Sequence, residues 1–256
     1  MLKQDRYNII IDLVRQQQSV KSSELMQLFD VSDETIRRDL AALEKKGLLK
    51  CVHGGAVYSS PATNEYHVEV RIKRNQREKE AICEETAKLI NDGEAIAICG
   101  STTTLPLGQY LKLKNNLTIV TNSLVLANQL AENESHKVIL IGGRLQQESK
   151  KTVGSEAAAH FLKYRVDKSL FSVAGITPKD GMSEYSEDEA ELVKALIKIG
   201  REPILLNDYT KFSTVALRHV GDMEDLAHIV TDANTPWNEL KAYSQAGVKV
   251  HKALNK

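Results

Sequence analysis

The segment from residue 31 to residue 56 constrains the fold of this chain more than any other. It reads VSDETIRRDLAALEKKGLLKCVHGGA. Ile36, Leu40 and Leu43 are spaced four and three residues apart, which places them on one face of an amphipathic helix. Gly47 is typical of a helix end. An apolar stripe must be covered by other elements, so the segment predicts a small helical domain.

Two shorter helices are predicted before this one. Apolar residues recur at helical spacing over 9–14, and Ser22 or Ser23 can cap a second helix over 25–29. Ser32 can cap the third helix. After that helix, two short apolar runs flank the turn His53-Gly54-Gly55, which predicts a hairpin.

Three helices followed by a hairpin predict a winged helix-turn-helix. Its third helix reads a DNA groove, and Thr35, Arg37 and Arg38 lie off the apolar stripe and are free to enter one. The whole chain balances 34 Lys and Arg against 34 Asp and Glu, so it has no strong overall field. Over 36–57, however, five basic residues face two acidic ones, and the local charge of +3 falls on the third helix and the hairpin.

The pattern S-x-x-T-I-R-R-D-L-x-x-L-E from Ser32 to Glu44, with H-G-G-A from His53 to Ala56, resembles the DeoR family of bacterial transcription regulators. The resemblance implies that the third helix contacts DNA and that the hairpin turn lies near the DNA backbone. Cys51 stands where the family often has a basic residue, which removes one expected phosphate contact. The predicted DNA-binding residues are Ser32, Thr35, Arg37, Arg38, Lys50, His53 and Gly54.

The chain is predicted to divide into a winged helix-turn-helix domain over 1–57, a linker over 58–74 and an α/β domain over 75–256. The linker prediction rests on a polar stretch without apolar periodicity. The basic stretch from Arg71 to Glu80 is interpreted as the solvated start of a helix rather than as a second DNA contact.

In the α/β domain, seven apolar runs alternate with helical segments, which predicts a mainly parallel sheet. Ligands bind beyond the carboxyl ends of such strands. Polar or glycine-containing segments follow five of the runs, which predicts one shared crevice. Hydroxyl and free N–H groups after the first run suit a phosphate, and amide, carboxylate and ammonium groups elsewhere suit sugar hydroxyls. The predicted ligand-binding residues are Gly100, Ser101, Thr102, Thr103, Asn122, Gly143, Gly175, Glu189, Asp208 and Lys211.

The resemblance to the DeoR family extends over this domain through G-S-T-T, T-N-S, I-G-G, A-G-I and D-x-x-K-F, the last at Asp208 to Phe212. It implies a sensor domain with a fold similar to ribose-5-phosphate isomerase and a phosphosugar effector. Ile98 stands where the family often has Asp, so one polar ligand contact is absent.

These observations predict a sugar-phosphate-responsive transcription regulator, and most simply a repressor of a carbohydrate operon. We expect a cytoplasmic homo-oligomer, a dimer or tetramer, that binds operator DNA and needs no cofactor or metal. Three scattered cysteines and the absence of a long apolar run agree with that expectation. The alternatives are a phosphosugar isomerase-like enzyme that carries a DNA-binding module, with Glu187, Asp188, Glu189 or Asp208 as its base, and a constitutive architectural DNA binder.

Overall fold

The computed structural model describes residues 3–17, 19–45, 49–57 and 68–254. The chain separates into two compact units, Met1–His67 and Val68–Lys256, here called the N-terminal unit and the C-terminal unit. The predicted linker over 58–74 differs from this division, because residues 68–73 form a helix of the C-terminal unit in which Val68 is buried. Residues 58–67 of the predicted linker lie outside the described residues.

The described part of the N-terminal unit contains three helices and a three-stranded antiparallel sheet. The elements are α1 (Lys3–Gln17), β1 (Ser19–Lys21), α2 (Ser22–Phe29), α3 (Asp33–Lys45), β2 (Lys50–Val52) and β3 (Gly55–Val57). Ile36, Leu40 and Leu43 are buried against apolar residues of α1 and α2, which confirms the predicted stripe. The predicted helix stop at Gly47 lies outside the described residues.

Strand β1 is the element that the sequence pattern did not predict. It pairs with β3, so the sheet order is β1-β3-β2. Gly55 was expected in the hairpin turn, but it lies in β3 and packs against β1. A Cβ atom on Gly55 would lie 2.0 Å from the carbonyl oxygen of Val20. Gly55 therefore allows β3 to pack closely against β1. The hairpin turn consists of the two residues His53 and Gly54.

Of the two predicted N-terminal caps, the cap of α3 is confirmed and the cap of α2 is not. Ser32 caps α3, since its Oγ accepts a hydrogen bond from Thr35 N at 3.4 Å. The predicted cap of α2 is wrong: Ser22 and Ser23 lie inside the helix, and Lys21 precedes it without a side-chain cap. The Ser22 N–H instead donates to the Gly54 carbonyl at 2.8 Å, which ties the hairpin turn to the start of α2.

The C-terminal unit alternates strands and helices as predicted. Its described helices are α4 (Val68–Lys73), α5 (Gln76–Lys88), α6 (Leu107–Leu111), α7 (Leu124–Leu130), α8 (Ser155–Phe161), α9 (Glu187–Ile199) and α10 (Trp237–Gln245). Its described strands are β4 (Ala95–Ile98), β5 (Thr118–Thr121), β6 (Lys137–Leu140), β7 (Arg144–Gln146), β8 (Lys151–Val153), β9 (Val166–Phe171), β10 (Gly175–Thr177), β11 (Gly181–Glu184), β12 (Gly200–Leu206), β13 (Arg218–Gly221), β14 (His228–Thr231) and β15 (Lys249–Lys252).

Seven of these strands form one parallel sheet in the order β15-β14-β12-β9-β4-β5-β6, which confirms the predicted α/β class. The chain starts in the middle at β4, builds outwards to β6, and returns to β9 on the other side of β4. The order therefore reverses between β4 and β9. Such a topological switch point opens a crevice at the carboxyl ends of the two strands.

Helices cover both faces of this sheet. Side chains alternate along β4: Ile96 and Ile98 pack with α5, α6 and α7, whereas Ala97 and Cys99 pack with α8, α9 and α10. Burial on both faces explains why the strands read as continuous apolar runs. The hairpin of β7 and β8 and the small antiparallel sheet β10-β11-β13 were not predicted, because strands of three or four residues have too few positions to show periodicity.

Candidate DNA-binding face and ligand crevice

The exposed face of α3 carries the predicted DNA-contacting arginines. The side chains of Arg37 and Arg38 are 73% and 78% exposed. Each is paired with a carboxylate four residues earlier: Arg37 Nε lies 2.8 Å from Asp33 and Arg38 Nε lies 3.0 Å from Glu34. Thr35 is half-buried beside Ser32. The face can enter a groove, but its two cations are partly neutralised within their own helix.

A buried ion pair orients α3 within the N-terminal unit. Asp39 is 2% exposed and accepts from Arg6 Nε of α1 at 2.5 Å. Removing either partner would leave a buried charge without compensation. The pair therefore fixes the rotation of α3, which directs Arg37 and Arg38 to solvent.

The hairpin presents its turn to solvent. His53 and Gly54 are exposed, and Gly54 has a φ of 82°, which favours glycine. Lys50 is the first residue of β2. Cys51 is half-buried against the core, and its N–H donates to Glu44 Oε1 at 2.7 Å. Burial, aided by Glu44, raises the pKa of the Cys51 thiol to about 11, so this residue packs as an uncharged side chain.

The loop after β4 lies at the switch point of the parallel sheet. Ser101 and Thr104 bond to each other: Ser101 N donates to Thr104 Oγ1 at 2.9 Å, and Thr104 N donates to Ser101 Oγ at 3.1 Å. The N–H groups of Thr102 and Thr103 donate to no atom of the described residues. Thr102 is half-buried, whereas Thr103 is 3% exposed. Two adjacent free N–H groups in a fixed turn can bind an anion.

Asn122 is bonded at both ends of its amide and holds this loop. Its Oδ1 accepts from Gly100 N at 2.8 Å, and its Nδ2 donates to Thr152 O at 2.7 Å. It is fully buried. Gly100 allows close packing against Ser123, since a Cβ atom at residue 100 would lie 2.8 Å from Ser123 Cβ. Both predicted contact residues shape the loop.

Glu189 reaches the same loop through Lys151, a residue that the sequence analysis missed. Lys151 Nζ lies 2.7 Å from Glu189 Oε1 and 2.8 Å from the Gly100 carbonyl. Burial would lower the pKa of Lys151, but Glu189 outweighs that effect and the pKa is raised. Lys151 follows a short polar stretch that resembles a surface turn in the sequence. Only its tertiary contacts show that it holds the loop after β4.

Asn207 is a second missed residue at the crevice. It follows β12, and its Oδ1 accepts from Val173 N at 3.1 Å and from Ser172 Oγ at 2.8 Å, both after β9. Since Val173 N–H can only donate, the oxygen must face it. Asn207 Nδ2 is then a buried donor with no partner among the described residues. Ser172 Oγ lies 3.5 Å from Thr103 Oγ1, so the group reaches the loop after β4.

Asp208 is buried and already bonded. Its Oδ1 accepts from Thr210 N at 3.0 Å and from Asn75 Nδ2 at 3.1 Å. Lys211 is half-buried, and its charge acts on Lys79 of α5. Lys79 was predicted to lie on a solvated helix start, and this prediction is wrong. Lys79 is 4% exposed, because its ammonium turns inwards to the end of α4.

Gly143 and Gly175 have local packing roles. Gly143 follows the edge strand β6, two strands away from the switch point, and a Cβ atom there would lie 2.9 Å from Ala157 Cβ. A Cβ atom on Gly175 would lie 2.2 Å from the Thr214 carbonyl oxygen.

The acidic residues that were considered as a catalytic base are each held by protein partners. Glu187 pairs with Arg218 at 3.1 Å, Asp188 pairs with Arg144, and Glu189 pairs with Lys151. Asp208 is bonded as described above. A general base must face the proton it removes; Glu187 and Asp188 lie in exposed ion pairs, whereas Glu189 and Asp208 are bonded within the protein.

Among the described residues, no three His, Cys, Asp or Glu side chains come together in a way that could hold a metal ion. Within the same ranges, each helix is too short or too polar to cross a membrane.

Comparison with known proteins identifies the family. Residues 6–62 match the model of the DeoR-like helix-turn-helix domain, and residues 74–233 match that of the DeoR C terminal sensor domain. The chain belongs to the DeoR family of transcriptional regulators. The resemblance noted in the sequence is thereby confirmed for both parts of the chain, and the helix-turn-helix assigns the N-terminal unit to DNA binding.

Relatives match over nearly their whole length. An uncharacterized HTH-type transcriptional regulator of Bacillus subtilis, YulB, is 34% identical over 98% of this chain and 96% of its own. The glycerol-3-phosphate regulon repressor of Escherichia coli is 32% identical over 92% of this chain and 93% of its own. Among solved structures, ribose 5-phosphate isomerase A of Methanocaldococcus jannaschii is similar over 54% of this chain and 55% of its own, with 16% identity and a TM-score of 0.38.

Proposed function

We propose that this chain is a repressor of a carbohydrate-metabolism operon and that a phosphorylated sugar in the crevice controls its affinity for operator DNA. The observation that carries the effector proposal is the pair of free N–H groups at Thr102 and Thr103, at the switch point of the sheet. A phosphate fits such a turn without a positive side chain. The Escherichia coli relative is named after glycerol-3-phosphate, a phosphorylated polyol, and this name supports the same ligand class.

The sugar part of the ligand would lie over the neighbouring strand ends. Asn207 Nδ2 is a buried donor without a partner among the described residues and would donate to a hydroxyl oxygen. Asp208 and Lys211 would bond other hydroxyls. Gly100, Asn122, Lys151 and Glu189 would support this arrangement by holding the loop.

On the DNA side, Thr35, Arg37 and Arg38 would contact base edges and phosphates in the major groove. The turn at His53 and Gly54 would lie against the DNA backbone. One such unit carries little net charge, so we propose that a dimer or tetramer places two units on repeated half-sites. A sugar phosphate then changes DNA affinity only if it binds the DNA-free arrangement more tightly than the DNA-bound one.

The test measures DNA affinity with and without ligand. A duplex is selected from a random library by the full-length protein, and its Kd is measured with triose, pentose and hexose monophosphates. We expect at least one of them to weaken binding by about 5–150-fold. If every member of the panel leaves the Kd unchanged, the sensing proposal is wrong.

A substitution locates the phosphate. Thr102→Val should keep DNA affinity and weaken the response to the ligand. Thr118→Val is the matched control, since Thr118 is a half-buried threonine at the opposite end of the strands. A normal response of Thr102→Val would place the phosphate away from this loop.

A further inference from the structure

The first segment of the C-terminal unit is bound to the crevice. It consists of α4 and the residues 74 and 75 that lead into α5. The carbonyl of Arg74 accepts from Lys79 Nζ at 2.7 Å, and the carbonyl of Arg71 accepts from the same ammonium. Lys79 is thus a buried cap on the carbonyl end of α4. In sequence, this segment directly follows the residues that come from the N-terminal unit.

Asn75 joins this segment to Asp208. Its backbone is left-handed, with φ of 52°, and its Nδ2 donates to Asp208 Oδ1 at 3.1 Å. The Asn75 carbonyl also accepts from Lys79 N at 3.0 Å. One carboxylate oxygen of the proposed ligand site therefore bonds both to the segment and to the N–H and hydroxyl of Thr210.

The charges around this contact make it sensitive to occupancy. Lys79 lies near Asp208, Lys211 and Arg71, and Arg71 also lies near Lys151 on the other side of the crevice. Burial, together with the positive charges of Lys211 and Arg71, lowers the pKa of Lys79 to about 8. A ligand with negative charge would change the balance among these cations and Asp208 at once.

We propose that Asn75 couples the crevice to α4: a ligand hydroxyl that bonds to Asp208 displaces Asn75, and the segment from Val68 to Asn75 is released. This inference rests on the proposed function and states how ligand binding at its site would change the contacts of α4. A ligand hydroxyl that takes Asp208 Oδ1 competes with the Asn75 amide for that oxygen, so the free energy of ligand binding is transmitted to the segment that leads to the N-terminal unit. Asn75 is a positioning residue and does not itself contact the ligand.

The decisive variant is Asn75→Gly. Glycine keeps the left-handed backbone and removes the amide side chain with its donor. Asn116→Gly is the matched control, because Asn116 also has a left-handed backbone, with φ of 57°, and is exposed at the amino end of β5. We expect Asn75→Gly to bind the active sugar monophosphate as tightly as the parent or more tightly. Its DNA affinity should change with that ligand at least about tenfold less than in the parent.

A second measurement does not depend on finding a ligand. Hydrogen exchange of the amides in α4 should be faster in Asn75→Gly than in the parent and in Asn116→Gly, because the segment loses a contact. Asn75→Asp, which places a carboxylate against Asp208, should show the same effect more strongly. Unchanged exchange in both Asn75 variants would overturn the coupling.

The two proposals can fail separately. If no sugar monophosphate changes the DNA affinity of the parent protein, the proposed function is wrong, and hydrogen exchange still decides whether Asn75 holds α4. If the parent responds and Asn75→Gly responds equally, the coupling is wrong and the proposed function stands.

Discussion

The two units of this protein place their positive charges in opposite ways. On α3 of the N-terminal unit, Arg37 and Arg38 are exposed and paired with residues four positions earlier. In the C-terminal unit, Lys79 and Lys151 are buried, and Lys151 is bonded to residues 51 and 38 positions away. The first arrangement serves a partner that arrives from solvent. The second holds a loop and a helix in place around a crevice.

The difference has energetic consequences. Exposed ion pairs contribute roughly 0–1 kcal/mol, since water and salt screen them. Losing one partner of a buried pair costs about 3–5 kcal/mol, because a charge is left in a poorly solvated place. Substitution of the buried lysine Lys151 should therefore change stability, and substitution of the exposed arginines on α3 should change binding.

The largest effect is expected for Lys151→Met. It leaves Glu189 and the Gly100 carbonyl without their donor, and the free energy of unfolding should fall by about 3–5 kcal/mol in urea. The control is Lys194→Met, which removes a half-exposed lysine at 3.4 Å from Glu191. The control should change stability by less than about 0.5 kcal/mol. Equal losses in the two variants would remove the energetic contrast between the buried pair and the exposed one.

A second effect separates two adjacent glycines of the hairpin. Gly55→Ala forces a Cβ atom against the Val20 carbonyl and should cost about 1–3 kcal/mol or more. Gly54→Ala meets open space and pays only for its left-handed backbone, about 1 kcal/mol. Hydrogen exchange at Val20 and Ala56 reports the loss of β1. If Gly54→Ala is the more damaging of the two, the account of the three-stranded sheet is wrong.

Arg38→Ala should change binding without changing stability. We expect a loss of about 1–3 kcal/mol in affinity for the selected duplex if Arg38 contacts a base. The free energy of unfolding should stay within about 0.5 kcal/mol. Arg201→Ala is the control, because Arg201 is an 82% exposed arginine of the C-terminal unit. A DNA affinity unchanged by Arg38→Ala would exclude Arg38 from the interface.

The smallest effect concerns the carboxylates on α3. Asp33→Asn together with Glu34→Gln frees both arginines and removes two negative charges near the DNA. DNA affinity should rise by about 0.3–1 kcal/mol and helix stability should fall by a similar amount, since both carboxylates also favour the positive end of the helix. A titration of affinity against salt measures the change. Weaker binding would show that the carboxylates position the arginines for DNA.

How much was predictable differs between the units. The stripe of Ile36, Leu40 and Leu43, the cap at Ser32 and the hairpin followed from local spacing. Strand β1 did not, because only Val20 of its three residues is buried and one residue shows no period. The strand is established by its pairing with β3, where Gly55 packs against Val20.

In the C-terminal unit, the strands were predictable and the site was only partly so. The loop from Gly100 to Thr103 was placed at a strand end from the sequence. The roles of the residues around the loop were not predicted. Asn122 and Glu189 bond to protein atoms, and Lys151 and Asn207 were missed. Hydrogen-bonding capacity can be counted only when the partners are known, and these partners lie on other strands.

The sequence by itself determined the family, the class of each unit and the exposed face of α3 that we propose meets DNA. These depend on periodicity and on residues that are neighbours along the chain. Only the tertiary structure decided the strand order, the switch point between β4 and β9 and the contact between Asn75 and Asp208. The physical reason is that β4 and β9 pair residues such as Ile96 and Lys168, and the Asn75–Asp208 hydrogen bond joins residues still farther apart along the chain. No local pattern records which side chains will meet at such separations.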